Sequence, residues 1–376
     1  MIYVSFFAGT DLTYFDEKEY MSIAHNLAEH GIFSLDGEHY TAYRPPLFPA
    51  VLSLILRCGG DITVMKSVNI AFLTATAFLM SLMLLKRFGI YAAASSVGLT
   101  VLYPIIWYAA GTIYPQVMGS FLLISILAVI VMFTGSEVFR GMIIGCLLGL
   151  LILTIPTFVF MLPIMMLWEF RNSKKWKNVA AVLLVTAVVI SPWMIRNYMV
   201  FDEAVFISTN SGLNLLVGNS ENTTASSGTE VDIDKYIANA PKGTEAVIDR
   251  YYRTQALIYM KENIPHTAVL YIQKVIHHFS LYNSFATENV TTVVKQAVMA
   301  ISYALILFLI GLRLIRAERL TDIEVLCLCI YVVAALVQSV FFTRIRFRIP
   351  FEMLLIVVSA IGVHYRLLSR KVQINP

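Results

Sequence analysis

Residues 141–169 read GMIIGCLLGLLILTIPTFVFMLPIMMLWE, and the way this run folds decides the arrangement of everything after it. One crossing of the hydrocarbon takes about 20 residues at 1.5 Å each, so the run exceeds a single span. Thr154, Ile155 and Pro156 interrupt it near the middle, and a proline there lacks the N–H that a helix interior needs. Both flanks are basic, with Arg140 on one side and Arg171, Lys174, Lys175 and Lys177 on the other. Lysine and arginine accumulate on the cytoplasmic side of a membrane. Two basic flanks therefore predict that the run enters and returns as two short arms, whereas one straight crossing would invert every later segment.

The rest of the chain is built of similar material. Its 376 residues are 58% hydrophobic and only 14% charged, which sets it apart from soluble globular proteins. The expected fold is an all-α polytopic membrane protein with about nine membrane helices, two of them short, and juxtamembrane helices on the outer face. Residues 62–85, 90–110, 115–133, 178–198, 293–315, 321–342 and 347–368 are long enough to span; residues 45–57 are too short. The expected divisions are 1–61, an outer acidic loop with two juxtamembrane helices; 62–199, membrane helices; 200–292, an outer loop with amphipathic helices; and 293–376, the C-terminal membrane helices. Lys86, Arg87, Arg313, Arg316, Arg319, Arg366, Arg370 and Lys371 join the basic flanks on the cytoplasmic side, so the C-terminus is cytoplasmic. The net charge of +4 reports this orientation and implies no nucleic acid. The four cysteines have neither zinc-ligand nor disulfide-framework spacing. No cleavable signal peptide is expected, because Met1–Thr10 lacks a basic region ahead of its apolar residues.

The segment FFTRIRFRIP, residues 341–350, departs from this pattern, because it places Arg344, Arg346 and Arg348 on the outer face. An arginine at a helix centre costs about 2.5–3.5 kcal/mol, so something outside should compensate the trio. If extended, the three share one face about 7 Å apart; if helical, Arg344 and Arg348 are neighbours. Guanidinium forks at that spacing suit an anion with several oxygens, and contact with lipid headgroups is the plainer alternative.

Acidic residues stand on the same side. Asp16–His30 is predicted to be an amphipathic helix closed by Gly31, with Tyr20, Ile23, Ala24 and Leu27 at helical spacing. Asp16 starts it, and Glu19 three residues on makes a capping-box pattern, so a cap role and a chemical role both stand. Arg44 precedes a second surface helix that begins at Pro45–Pro46. Arg196 and Asn197 emerge at the outer end of the 178–198 span. The outer block from 200 holds helical candidates 244–262 and 265–282 and a Ser/Thr/Gly-rich stretch, 223–229, expected to be mobile. Glu245 and Asp249 read first as a solvated helix face, with a role at the acceptor site as the alternative. Adjacent His277 and His278 point about 100° apart and read as packing, not a shared metal site. Sequons at Asn222 and Asn289 carry little weight. Ionisable groups lie within two turns of span ends, unlike the mid-depth charges of transporters.

Taken in order, Asp16-x-x-Glu19-Tyr20, Tyr43-Arg44-Pro45-Pro46, Pro192-Trp193 with Arg196-Asn197-Tyr198, Ser208-Thr209-Asn210 with Gly212 and Gly218-Asn219, and Arg346-Phe347-Arg348-Ile349-Pro350 carry a family likeness. The set resembles the bacterial relatives of the protein mannosyltransferases and the aminoarabinose transferase of lipid A, family 39-like members of glycosyltransferase superfamily C. This resemblance implies a cell-membrane glycosyltransferase that moves a sugar from a polyprenyl-phosphate donor to a lipid, glycan or protein acceptor on the outer face. By the same resemblance Asp16 is the catalytic base, and Arg44, Arg346 and Arg348 face the donor phosphate; Arg344 beside them and Arg196 in an assisting place are expected to hold the same phosphate. Glu19, Tyr20, Asn197 and Gln116 are the accompanying acceptor-side residues.

The chain departs from the family in three places. Members carry a full span before the acidic motif, of which Ile2–Ala8 would be only the tail, so a fragment or late start is expected. Where many members have an acidic residue, this chain has Thr112, Tyr114 and Gln116; the divalent cation of the family is left open, with no certain cofactor and metal ligands unknown. Ile155 stands where members often have arginine. A lipid-linked glycan ligase or polymerase, and a non-catalytic flippase or assembly protein, remain the rival readings.

Overall fold

The structure is a computed structural model and describes residues 9–228, 230–281, 293–316 and 318–374. The interrupted run folds as a hairpin. α7 (Glu137–Thr154) ends where Ile155 turns extended, a 3-10 turn covers Pro156–Phe160, and α8 (Met161–Ser173) leads back. Arg140 pairs with Glu169 at 2.9 Å, and Lys175 pairs with Glu137 at 2.9 Å. A continuous helix would hold residues 140 and 169 about 43 Å apart, so both arms start and finish at one end of the bundle. At the apex, Phe158 is fully buried and stacks on Phe351, with ring centroids 4.6 Å apart.

Before the hairpin come α1 (Phe15–Glu29), α2 (Leu47–Arg57), α3 (Ile62–Arg87), α4 (Ile90–Val101), α5 (Pro104–Ala110) and α6 (Gln116–Met132). After it come α9 (Trp176–Phe201), α10 (Ser211–Gly218), α11 (Asp234–Ala238), α12 (Glu245–Glu262), α13 (Ile264–His278), α14 (Val293–Leu314), α15 (Asp322–Gln338) and α16 (Ile345–Ile374). By length and composition, α3, α7, α9, α14 and α16 can each cross a membrane, and α4 with α5, bent by 64°, makes a sixth span if the two are counted together. α6 and α15 have 17 residues each and α8 has 13, so they fall at or below the short limit for crossing. The polytopic all-α fold is therefore observed.

Charge sorts the two ends. One end collects the Arg140–Glu169 and Glu137–Lys175 pairs, Arg171 with Asp322 at 3.2 Å, and Arg313 with Glu324 at 2.7 Å. The other end collects α1, α2, α10, α12 and the start of α16. α16 runs through the middle against α4, α6, α14 and α15. Phe351 and Met353–Ile361 are buried without a break, so no face of that stretch remains for lipid.

α7 meets α9 along a stripe of small residues that the sequence reading missed. Gly141, Gly145 and Gly149 recur every fourth position, a spacing that lets helix backbones approach closely. A Cβ on Gly145 would stand 2.6 Å from the Val182 carbonyl oxygen, and Thr186 donates to the Gly145 carbonyl at 3.0 Å. Gly145→Leu is expected to destabilise the bundle by about 1–3 kcal/mol through overpacking, read as a lowered Tm in detergent. Gly98→Leu is the control, because nothing lies within 4 Å of its Cβ position, and it should leave Tm unchanged.

Candidate active site

The site begins at the start of α1. Tyr14 is the N-cap, and its N–H donates to the Glu17 carboxylate at 2.9 Å. The cap expected at Asp16 is thus formed by its neighbours, which leaves the Asp16 carboxylate for other partners. Its Oδ1 accepts from Arg44 Nη2 at 2.8 Å, and its Oδ2 faces Arg346 Nη2 at 2.8 Å. Arg44 also holds Glu19, one turn along α1, through Nε at 2.7 Å and through Nη2. Arg346 Nη1 donates to the Tyr114 hydroxyl at 2.7 Å.

Aromatic rings hold both guanidinium groups in place. Arg44 lies 5.3 Å from the centroids of Tyr20 and of Tyr43, and Arg346 lies 5.1 Å from Tyr114 and 5.2 Å from Phe347. Planar guanidinium stacks on such faces while its edge N–H groups stay free to bond carboxylates. The Asp16, Glu19 and Arg44 side chains are 12–16% exposed, whereas Arg346 is 33% exposed and is the more approachable cation.

Burial and charge compete at the two carboxylates. Burial pushes the Asp16 carboxyl up, but Arg346 and Arg44 together outweigh it and hold the group below its ordinary 3.8. Burial wins at Glu19, whose pKa is raised despite Arg44. Asp16 is therefore ionised at neutral pH, in a site whose two acids and two arginines balance in formal charge.

A third carboxylate, Glu17, was not singled out in the sequence. It is 1% exposed and accepts from the Ile113 N–H at 2.8 Å as well as from Tyr14, so it fixes α1 to the turn that presents Tyr114. Reading the capping box as Tyr14 with Glu17, in place of Asp16 with Glu19, is the shift of register that would have found it.

The other arginines expected on this face divide among separate partners. Arg344 pairs with Glu230 at 2.6 Å. Arg348 is 2% exposed; it bonds Glu352 at 2.5 Å and the carbonyls of His278 and Ser280 at 2.8 and 2.6 Å, over the Tyr303 ring. The three arginines thus form no comb. α16 begins at Ile345, and residues two apart on a helix point about 200° from each other, so Arg346 reaches Asp16 while Arg348 turns inward.

Arg196 also stays apart from Asp16. It donates to the Thr41 carbonyl at 2.8 Å amid the rings of Phe33, Tyr40, Trp193 and Phe201. Asn197 is buried and accepts from Arg196 at 3.1 Å. Tyr20 packs edge-on against Phe48, and Gln116 is buried at the start of α6, two residues after Tyr114.

Two expectations for the outer block need correction. Glu245 is not on a solvated face: it accepts from Thr41 Oγ1, the Ala42 N–H and Thr209 Oγ1 at 3.1, 2.8 and 2.8 Å, joining the block to the segment before Arg44. Asp249 is 4% exposed because α12 packs on α10, where it accepts from the Gly212 N–H at 2.5 Å and pairs with Arg253 at 2.6 Å. In the stretch expected to be mobile, Thr223 and Ser227 are buried and hydrogen-bonded. His278 packs against Phe279 and Tyr331 as expected, and burial with nearby Arg348 pushes its pKa down to about 3. Asn289 lies outside the described residues. Among the described residues no three His, Cys, Asp or Glu side chains come together as ligands for a metal ion.

No protein-family model and no curated protein matches the sequence. Two solved structures are similar to this chain. ArnT from Cupriavidus metallidurans in the apo state is 12% identical, with a TM-score of 0.44 over 97% of this chain and 76% of that one. ArnT from Cupriavidus metallidurans bound to undecaprenyl phosphate is 12% identical, with a TM-score of 0.46 over 98% and 76%.

Proposed function

We propose that this chain is a membrane glycosyltransferase that moves a sugar from a polyprenyl-phosphate donor to the hydroxyl of a lipid, glycan or protein acceptor. The reaction takes place on the outer face of the cell membrane, with inversion at the sugar carbon. The observation that carries this reading is the Asp16 carboxylate held between Arg44 and Arg346, at the end of the bundle opposite the basic loops.

In the displacement, the acceptor oxygen bonds the anomeric carbon while the bond to the donor phosphate oxygen breaks, and the electron pair stays on the phosphate. Arg346, the more exposed cation, stabilises the charge that the leaving phosphate gains, an interaction strongest in the transition state. Asp16 takes the acceptor proton. The exchange of partners helps it do so. When Arg346 turns to the phosphate, Asp16 loses the largest charge that holds its pKa down and becomes a better base. Arg44, fixed by Glu19 and two rings, keeps the carboxylate aimed. Arg344, Arg348 and Arg196 are assigned to holding the walls of the site. Tyr14 at the cap position, which leaves the Asp16 carboxylate to the two arginines, supports this reading over one in which Asp16 is a helix cap.

The test is turnover by purified protein in lipid with radiolabelled polyprenyl-monophosphate sugars. The expected result is label in the acceptor fraction with release of one polyprenyl phosphate per transfer. Inactivity across a panel of monophosphate donors, together with transfer from a diphosphate-linked glycan, would overturn the reading in favour of a ligase.

A further inference from the structure

At the basic end of the bundle, far along α16 from Arg346, α14 and α16 flank an open recess of about 310 Å³ lined by Leu309, Leu312, Arg313, Arg316, Val363 and Arg366, with Gly362 in its wall. Three guanidinium groups meet there. Arg313 is 1% exposed and anchored: it bonds Glu324 at 2.7 Å, the carbonyls of Glu318 and Arg319 at 3.1 Å each, and stacks 4.9 Å from the Tyr365 ring centroid. Arg316 reaches Glu318 at 3.3 Å, and Arg366 is exposed. Glu324 holds the anchored Arg313, and Glu318 pairs with Arg316 at the rim. A Cβ on Gly362 would stand 3.0 Å from the Cβ of Arg313, so a larger residue there would crowd the Arg313 stem.

Below the recess, Ile301, Leu305 and Phe308 are 69%, 43% and 61% exposed and follow one another at helical spacing toward Leu312. This apolar stripe on a membrane-spanning helix leads from the recess into the depth of the bilayer.

We propose that this recess binds the headgroup phosphate of an anionic phospholipid, between Arg316 and Arg366, with an acyl chain lying along Leu305 and Phe308. Basic recesses between membrane helices take anionic headgroups, and guanidinium forks bond phosphate oxygens with two N–H groups at once. Here the site sits where α14, α15 and α16 are tied by the Arg313–Glu324 pair, so the lipid clasps α14 to the central helix. The proposal is independent of the transfer reaction.

The test is made on full-length protein in detergent, by native mass spectrometry and thermal unfolding, with phosphatidylglycerol, with phosphatidylcholine of the same chains, and with inorganic phosphate. Phosphatidylglycerol is expected to remain bound at higher collision energy and to raise Tm, the other two to do neither. Arg366→Ala protein that elutes as the folded species should retain it about fivefold more weakly, and Arg316→Ala with Arg366→Ala more weakly still. Equal retention of the two lipids, or unchanged phosphatidylglycerol binding by folded Arg366→Glu, would overturn the site. Stabilisation by inorganic phosphate equal to that by phosphatidylglycerol would overturn the lipid as its occupant.

Discussion

Asp16→Asn is expected to lower donor turnover by about 10²–10⁴-fold, the usual contribution of a positioned general base. The substitution keeps the shape of the side chain and one acceptor oxygen toward Arg44, so the fold should be retained, at a Tm lowered by loss of the charge that faces Arg44 and Arg346. The pH profile separates a base from a mere ion-pair partner. Because Arg346 and Arg44 outweigh burial and hold the Asp16 carboxyl below its ordinary 3.8, activity should fall only when the solution is acidified through that depressed value. The group also stabilises the fold above its unfolded pKa, and that contribution is lost as pH drops through the folded one. Arg346→Ala should move the acid limb upward, because burial then acts against one cation fewer. An acid limb at the same pH in both proteins would dismiss Asp16 as the titrating base.

Arg346→Ala and Arg348→Ala should fail in different ways although the residues stand two apart. Loss of Arg346 removes charge at the leaving phosphate, and turnover is expected to fall about 10²–10³-fold with the fold retained. Arg348→Ala leaves Glu352, fully buried, without its partner and frees the carbonyls at the end of α13. Breaking a buried pair on one side costs about 3–5 kcal/mol, so this variant should be recovered poorly and melt early. Matched Tm values with equal losses of turnover would mean that both arginines serve the donor.

These two arginines mark the boundary of what the sequence made legible. The hairpin at residues 141–169 could be read because length, Pro156 and the signs of Arg140 and Arg171 all constrain it locally. The meeting of Asp16 with Arg44 and Arg346 followed from geography, since all three fall on one side once the loops are sorted by charge. What a given arginine touches there did not follow. Glu230 and the carbonyls of residues 278 and 280 come from distant segments, and the helical start at Ile345 that turns Arg346 and Arg348 apart is set by packing. Glu245 read as solvated because α12 is amphipathic with many charges, and only tertiary contact shows it bound to Thr41, Ala42 and Thr209. The Gly141, Gly145 and Gly149 stripe, by contrast, was visible in the letters and needed only the question of which neighbour comes close.

The order of synthesis gives α16 a further meaning. Chains leave the ribosome from the N-terminus onward, and the helix most enclosed by protein is the last of those described, preceded by every partner that surrounds it. The packing partners α4, α6, α14 and α15 therefore emerge before the helix that they enclose. Since the same helix brings Arg346 to Asp16, a chain stalled before α16 emerges carries the acid without this cation.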